Sequence, residues 1–202
     1  MLRVKFNSRH TAETRMIASM TALTKPRMTV DEFLAWAEER PGRYELFRGE
    51  VYAMSPESVG HADIKGAVYS ALVAGIRLRS LPCHALPDGV TIRIDEATAY
   101  EPDAQVYCGP ELPPTALEVP NPVIIVEVLS PSTRRVDVSL KLAGYFRLPS
   151  VAHYLIVDPT QRSIIHHARG ADDTILTRVI SDGVITLDPP GLELAMSDIY
   201  GA

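Results

Sequence analysis

The chain has 202 residues, 46% of them apolar and 22% charged, which supports one ordinary buried core and excludes a disordered polymer. Its net charge of −5 provides no global field for nucleic acid, so a nucleic-acid partner has to be engaged by a local patch. No stretch approaches the ~18 consecutive apolar residues of a membrane span, and no membrane partner is expected.

Residues 1–25, MLRVKFNSRHTAETRMIASMTALTK, are basic and rich in Ser and Thr, without the apolar stretch of a secretory signal. They are expected to be a disordered or poorly ordered extension, or the product of an upstream start with Met20 as the alternative. Residues 26–202 then form a single domain. In MTVDEFLAWAEER, Thr29 and Glu32 have the spacing of a capping box, Phe33, Leu34 and Ala37 make an apolar stripe, and Pro41-Gly42 ends the helix. RYELFRGEVYAMSP alternates around Arg48-Gly49 and predicts a hairpin. HADIKGAVYSALVAGIRLRS predicts a long helix that buries Ile64, Ala67, Val68, Ala71 and Leu72.

CHALPDGVTIRID and EPDAQVYCG read as strands, the second opened by Pro102. Their cysteines, Cys83 and Cys108, form neither a CxxC pair nor a zinc spacing, and read as reduced thiols of a cytoplasmic protein. A Pro-rich stretch over 109–122, a candidate specificity loop or a plain connection, leads to VIIVEVL. Six of these seven residues are Val, Ile or Leu, as in a strand buried on both faces. The helix DVSLKLAGYFR follows, stopped at Leu148-Pro149. HYLIVDPTQRSIIHHAR predicts two strands around an Asp-Pro turn, TRVISDGVITL another hairpin, and GLELAMSDIY a short terminal helix or turn. The order of elements predicts one α/β (α+β) domain with a mixed central sheet flanked by helices.

Glu127 stands out because a carboxylate inside VIIVEVL is costly to desolvate without a proton, a cation or a metal. Asp103, directly after Pro102, opens a strand that can neighbour it. In the helix after the apolar strand, Val138, Leu142, Tyr145 and Phe146 form the core stripe, with Lys141 on its border. If that helix packs back over the strand, Lys141 points toward Glu127. Two carboxylates and a lysine suit a Mg²⁺-dependent phosphodiesterase: hard oxygen ligands for the ion, and an ammonium to orient water or steady the charge on phosphorus. No G-x-S-x-G, Walker A or G-x-G-x-x-G sequence is present, which disfavours hydrolase-triad, NTPase and dinucleotide readings.

EPD followed by VIIVEVLSPSTRRVDVSLKLAGYFR resembles the PD-(D/E)XK superfamily of restriction-endonuclease-like folds, and more closely the bacterial Uma-type endonucleases. The similarity runs from about Met28 to the C-terminus and includes YELFRGEVYAMSP, the histidine opening the second helix, EVLSPST and HYLIVDP. It implies a Mg²⁺-dependent DNA endonuclease, with Mn²⁺ as a substitute ion, and products ending in a 3′-hydroxyl and a 5′-phosphate. Asp103 and Glu127 match the metal-binding pair, and Glu45 matches a further acidic residue of the site. The lysine position of the motif holds Leu129; in this branch the lysine lies on the following helix, where Lys141 matches it. Such enzymes commonly act as homodimers to cut two strands.

His61, Arg134 and Arg135 are candidate substrate-binding residues, each with a plainer reading as a helix-start or solvated-loop residue. Glu50 reads as a solvated turn residue. His166 and His167, adjacent on a strand, point to opposite faces and read as exposed polar positions rather than joint ligands of one ion. Leu129 in the lysine position keeps a second reading open: a catalytically silent nuclease-fold protein that binds nucleic acid or a protein partner. A small-molecule phosphodiester hydrolase on the same scaffold is a third.

Overall fold

A computed structural model describes residues 27–130, 137–172 and 174–201; the extension expected over 1–25 lies outside them, as do Arg134 and Arg135. Helix α1 (Val30–Glu38) starts at the expected capping box: the Thr29 hydroxyl accepts from the Glu32 backbone N–H, and the Glu32 carboxylate accepts from the Thr29 backbone N–H at 2.8 Å. Strands β1 (Tyr44–Phe47) and β2 (Glu50–Ala53) form the expected hairpin. Its turn places both Arg48 (φ 51°) and Gly49 (φ 81°) in the left-handed region, as a tight two-residue connection requires. Helix α2 (Val59–Leu78) buries Val68, Leu72 and Ile76, with Ile64 and Ala71 packed beside them.

The stretch CHALPDGVTIRID is two strands rather than one. Strand β3 (Cys83–Pro87) joins a large sheet, and β4 (Ile92–Asp95), after the turn at Asp88-Gly89, joins a small one. A strand without a sequence signal, β5 (Thr98–Tyr100), completes the small sheet, whose order is β2-β1-β5-β4. β5 is only three residues long, too short for a period to show. Strand β6 (Ala104–Cys108) pairs antiparallel with β3 and sets Cys83 opposite Cys108. The two thiols form a disulfide, which corrects the reading of both as reduced. Their separation of 25 residues carries no disulfide signature; strand pairing alone brings them face to face.

Strand β7 (Pro122–Val128) is the apolar run. It runs antiparallel to β6 and parallel to β8 (His153–Asp158), and α3 (Asp137–Tyr145) lies in the crossover between the two parallel strands. The Asp-Pro turn leads into β9 (Ser163–Arg169), antiparallel to β8. Strand β10 (Ile175–Ile180) completes a six-stranded mixed sheet of order β10-β9-β8-β7-β6-β3. TRVISDGVITL is therefore not a hairpin: β10 pairs with β9, whereas β11 (Val184–Leu187) pairs with β12 (Leu192–Ala195). The chain closes with a short helix, α4 (Met196–Tyr200).

Side-chain alternation divides the large sheet. Ile124, Val126, Val128, Leu155, Val157 and Ile164 point to the face covered by α2, the β11–β12 ribbon and α4. Ile125, Tyr154 and Ile156 point to the opposite face, where Tyr145 and Leu142 of α3 pack with Ile92 and Tyr100 of the small sheet. His166 and His167 do point to opposite faces, but both are buried, which corrects their reading as exposed. His166 packs against His153 of β8, and His167 lies between Tyr154 of β8 and Thr177 of β10. Among the described residues no helix is long and apolar enough to cross a membrane.

Candidate active site

A cavity of about 460 Å³ opens where β7 ends, between the β1–β2 hairpin, the start of α2 and helix α3. Its floor is built by strand register. Ala104 pairs with Val126, so one step further along the antiparallel pair sets Asp103 beside Glu127. The Val128 backbone N–H donates to Asp103 Oδ2 at 2.7 Å and fixes that carboxylate. Glu127 is the one member of the apolar run that brings a carboxyl group to the cavity, and its side chain is 15% exposed.

Glu45 and Lys141 arrive from two further elements. Lys141 Nζ donates to Glu127 Oε1 at 3.0 Å and to Glu45 Oε1 at 2.8 Å, so the ammonium bridges β7 of the large sheet and β1 of the small one. Glu45 Oε1 also accepts the Glu101 backbone N–H at 2.9 Å, and Glu127 Oε1 accepts the Tyr145 hydroxyl at 2.8 Å. Lys141 stands on the border of the α3 stripe: Leu142 and Tyr145 turn into the core, and the lysine turns to the floor.

Burial drives the pKa of Glu127 up to about 8. The Lys141 ammonium opposes that rise, and the negative charges of Asp103 and Glu45 reinforce it. Burial, Glu127 and Glu45 together push the Tyr145 phenol far up, which keeps it a hydrogen-bond donor to Glu127.

Three of the residues singled out in the sequence therefore meet through Lys141 and Glu127, and Asp103 lies beside them. His61 faces the same place: its Nε2 lies 2.9 Å from the Val128 carbonyl oxygen and 3.9 Å from Asp103 Oδ2, and its Nδ1 lies 2.8 Å from Glu57. Arg134 and Arg135 lie outside the described residues. The Pro-rich stretch over 109–122, the candidate specificity loop, contributes nothing to the cavity lining. Part of it runs against Thr91, beside β4.

Sequence reasoning missed Lys65. It is buried on α2, hydrogen-bonds to Glu57 at 3.0 Å and to Asp88, and sets its ammonium 3.4 Å from Asp103 Oδ1. Burial works against that ammonium, but the hydrogen bonds to Asp88 and Glu57 and the charge of Asp103 outweigh it and hold its pKa above the ordinary value. A signal existed. Lys65 lies one helical turn after His61 and three residues before Val68, on the inward face. Arg43 extends the network, with Nε 2.6 Å from Glu101 and a contact to Asp88.

The donor set is hard and anionic. Glu45, Glu57, Asp103 and Glu127 line the cavity against Arg43, Lys65 and Lys141. Among the described residues no group of three His, Cys, Asp or Glu side chains is arranged to hold a metal ion. Asp103 and Glu127 are instead engaged by a lysine each.

Residues 30–197 match the family Uma2, described as "Putative restriction endonuclease". The uncharacterized protein slr1290 of Synechocystis is 29% identical over 195 residues, covering 92% of this chain and 97% of that protein. A second uncharacterized Synechocystis protein, sll1609, is 25% identical over 166 residues, 81% of this chain and 93% of its own. Among solved structures, a "putative nuclease belonging to DUF820" from Anabaena variabilis superposes with a TM-score of 0.67 at 16% identity. The match covers 86% of this chain and 97% of that one. That likeness shows the fold, which is restriction-endonuclease-like.

Proposed function

The chain belongs to the Uma2 family, and from that premise we propose that it is a Mg²⁺-dependent DNA endonuclease that hydrolyses phosphodiester bonds. One observation carries the reading. Glu45, Asp103, Glu127 and Lys141, from four separate parts of the chain, converge on the floor of one cavity, three carboxyl groups around one ammonium. The chemistry of the donors fits the ion: two carboxylate side chains suit Mg²⁺, which takes one or two such ligands and completes its shell with water and phosphate oxygens. A carboxylate held protonated to about pH 8 by burial and by like charge is a place where a dication relieves both.

Asp103 and Glu127 would hold the ion. When bound, it would polarise the scissile phosphate and lower the pKa of the attacking water. The Val128 N–H and Lys65 orient Asp103, and the Tyr145 hydroxyl orients Glu127. Lys141 positions the water or steadies the charge that builds on phosphorus, and Glu45 assists it directly or through water. Water adds to phosphorus and the bond to the 3′ oxygen breaks, leaving a 3′-hydroxyl and a 5′-phosphate. Cutting both strands of a duplex takes two such sites, supplied by a homodimer. The protein acts where its DNA lies, in the cytoplasm. Cys83 and Cys108 are not in the cavity lining, so reducing their disulfide leaves the activity in place.

The experiment is nicking of supercoiled plasmid with Mg²⁺ or Mn²⁺, wild type beside Glu127→Ala and Lys141→Ala. Metal-dependent nicking lost in both supports the assignment of both residues. Loss in Glu127→Ala alone keeps the enzyme and removes Lys141 from its role. No nicking by pure wild type with either ion overturns the reading and leaves the silent, nucleic-acid-binding one.

A further inference from the structure

The floor of the cavity is ionic, but much of its wall is not. Phe47, Tyr52, Met54, Leu129 and Leu140 surround the charged group. Strand alternation explains why the two kinds of residue lie together. Tyr44 and Leu46 of β1 turn to the core around Val30 and Phe33, which leaves Glu45 and Phe47 on the cavity side. Tyr52 is the cross-strand partner of Glu45 in the hairpin, so its ring shares that face. A floor carboxylate and two aromatic rings are thus neighbours on one hairpin. Tyr52 is 50% exposed, lines the cavity and donates its hydroxyl to Glu50, which places it at the cavity mouth.

A surface that reads a DNA duplex is mostly polar and strongly positive, because the larger part of its contacts go to phosphates. Here the described cations of the lining are already engaged: Arg43 with Glu101, Lys65 with Glu57, and Lys141 with Glu45. The floor side chains Glu127, Asp103 and Lys141 are only 15%, 8% and 6% exposed. A phosphate must enter the cavity to reach them. A volume of about 460 Å³ is that of a small-molecule site, in the range of ~300–1,000 Å³. It has room for one nucleotide.

Resting on the nuclease reading, we infer that the preferred substrate is an unpaired DNA strand, with the base beside the scissile phosphate stacked on Tyr52 and Phe47 of the β1–β2 hairpin. Aromatic side chains hold single strands in this way whatever the sequence, because every base offers a flat face. A base already unpaired enters without the cost of extrusion from a helix. Ends, flaps and mismatched stretches are therefore cut in preference to intact duplex.

The test uses the full chain and a labelled oligothymidylate, alone or paired with oligoadenylate. Binding is measured by fluorescence anisotropy, and cleavage is measured with Mg²⁺ or Mn²⁺. The single strand is expected to bind and to be cut at least about 10-fold better than the duplex. Tyr52→Ala should raise its KM and Kd by about 10-fold, while Tyr52→Phe, which keeps the ring, should recover most of that loss. Because Tyr52 is half-exposed, either variant should fold. Equal cutting of strand and duplex, with Tyr52→Ala like wild type, overturns this subsite and leaves the nuclease standing. If nothing is cut but the strand binds through Tyr52, the nuclease reading falls and the subsite stands. Loss of both cutting and binding overturns both.

Discussion

Strands β7 and β8 lie side by side, and each carries titratable groups that the large sheet buries, with opposite consequences on its two faces. On the α3 face, Glu127 looks into a cavity among other carboxylates, and its pKa rises to about 8. On the α2 face, His153 Nδ1 and His166 Nε2 lie 3.0 Å apart in a closed layer. Burial first, then the neighbouring positive charges of His153, Arg178 and His167, bring His166 down to about 4. Burial also lowers His153. Both sites suppress a charge, but only one has an opening and a surplus of like charge that a cation can relieve. A perturbed pKa marks a candidate site when it comes with a cavity; without one it marks core structure.

The sharpest way to break this comparison is to neutralise one group on each face. Glu127→Gln and Asp103→Asn should lower plasmid nicking by at least about 100-fold. His166→Leu should leave it within about 2-fold, because that ring touches nothing in the cavity. A His166→Leu loss as deep as that of Glu127→Gln would mean that the two faces are not separate.

The two faces should also respond to pH with opposite sign. His166 titrates below its ordinary 6.5 in the folded chain, so the unfolded chain takes up the proton first. Its contribution is complete above about pH 6.5 and is lost as pH falls toward 4, on the order of 2 kcal/mol, and denaturant melts of His166→Leu should lack that slope. Glu127 titrates above its ordinary 4.5, so without metal its burial costs stability as pH rises from 4.5 toward 8. Metal-free Glu127→Gln should therefore match or exceed the wild-type melting temperature at pH 8. Millimolar Mg²⁺ or Mn²⁺ should raise the wild-type value by several degrees and leave that of the variant unchanged.

A smaller effect belongs to Lys65, which acts through Asp103. Lys65→Met should weaken Mg²⁺ binding, read from the same melting shift, and lower nicking by about 10-fold, with Lys65→Arg restoring most of both. If Lys65→Met changes stability alone, the lysine is only a strut between Glu57 and Asp88.

Much of this was legible because it is local. The capping box at Thr29 and Glu32, the hairpin around Arg48-Gly49 and the apolar run around Glu127 are each written within a few consecutive residues. Lys141 could be placed by helical period, since Leu142 and Tyr145 claim the core side of α3. Residues outside any local pattern were misread. Cys83 and Cys108 looked unrelated until β3 and β6 paired, and the hairpin expected over TRVISDGVITL failed because both of its strands found partners elsewhere.

By itself, then, the sequence determined which side chains were unusual and which face of its own element each would occupy, because side-chain period follows from backbone geometry alone. Only the tertiary structure decided who meets whom. It placed Lys65 against Asp103, joined Glu45 to Glu127 through Lys141, and brought the β1–β2 hairpin with Tyr52 to the cavity. Those meetings depend on which strands pair and in what register. Register is chosen by burying apolar faces across the whole sheet, a constraint that no short window of residues contains.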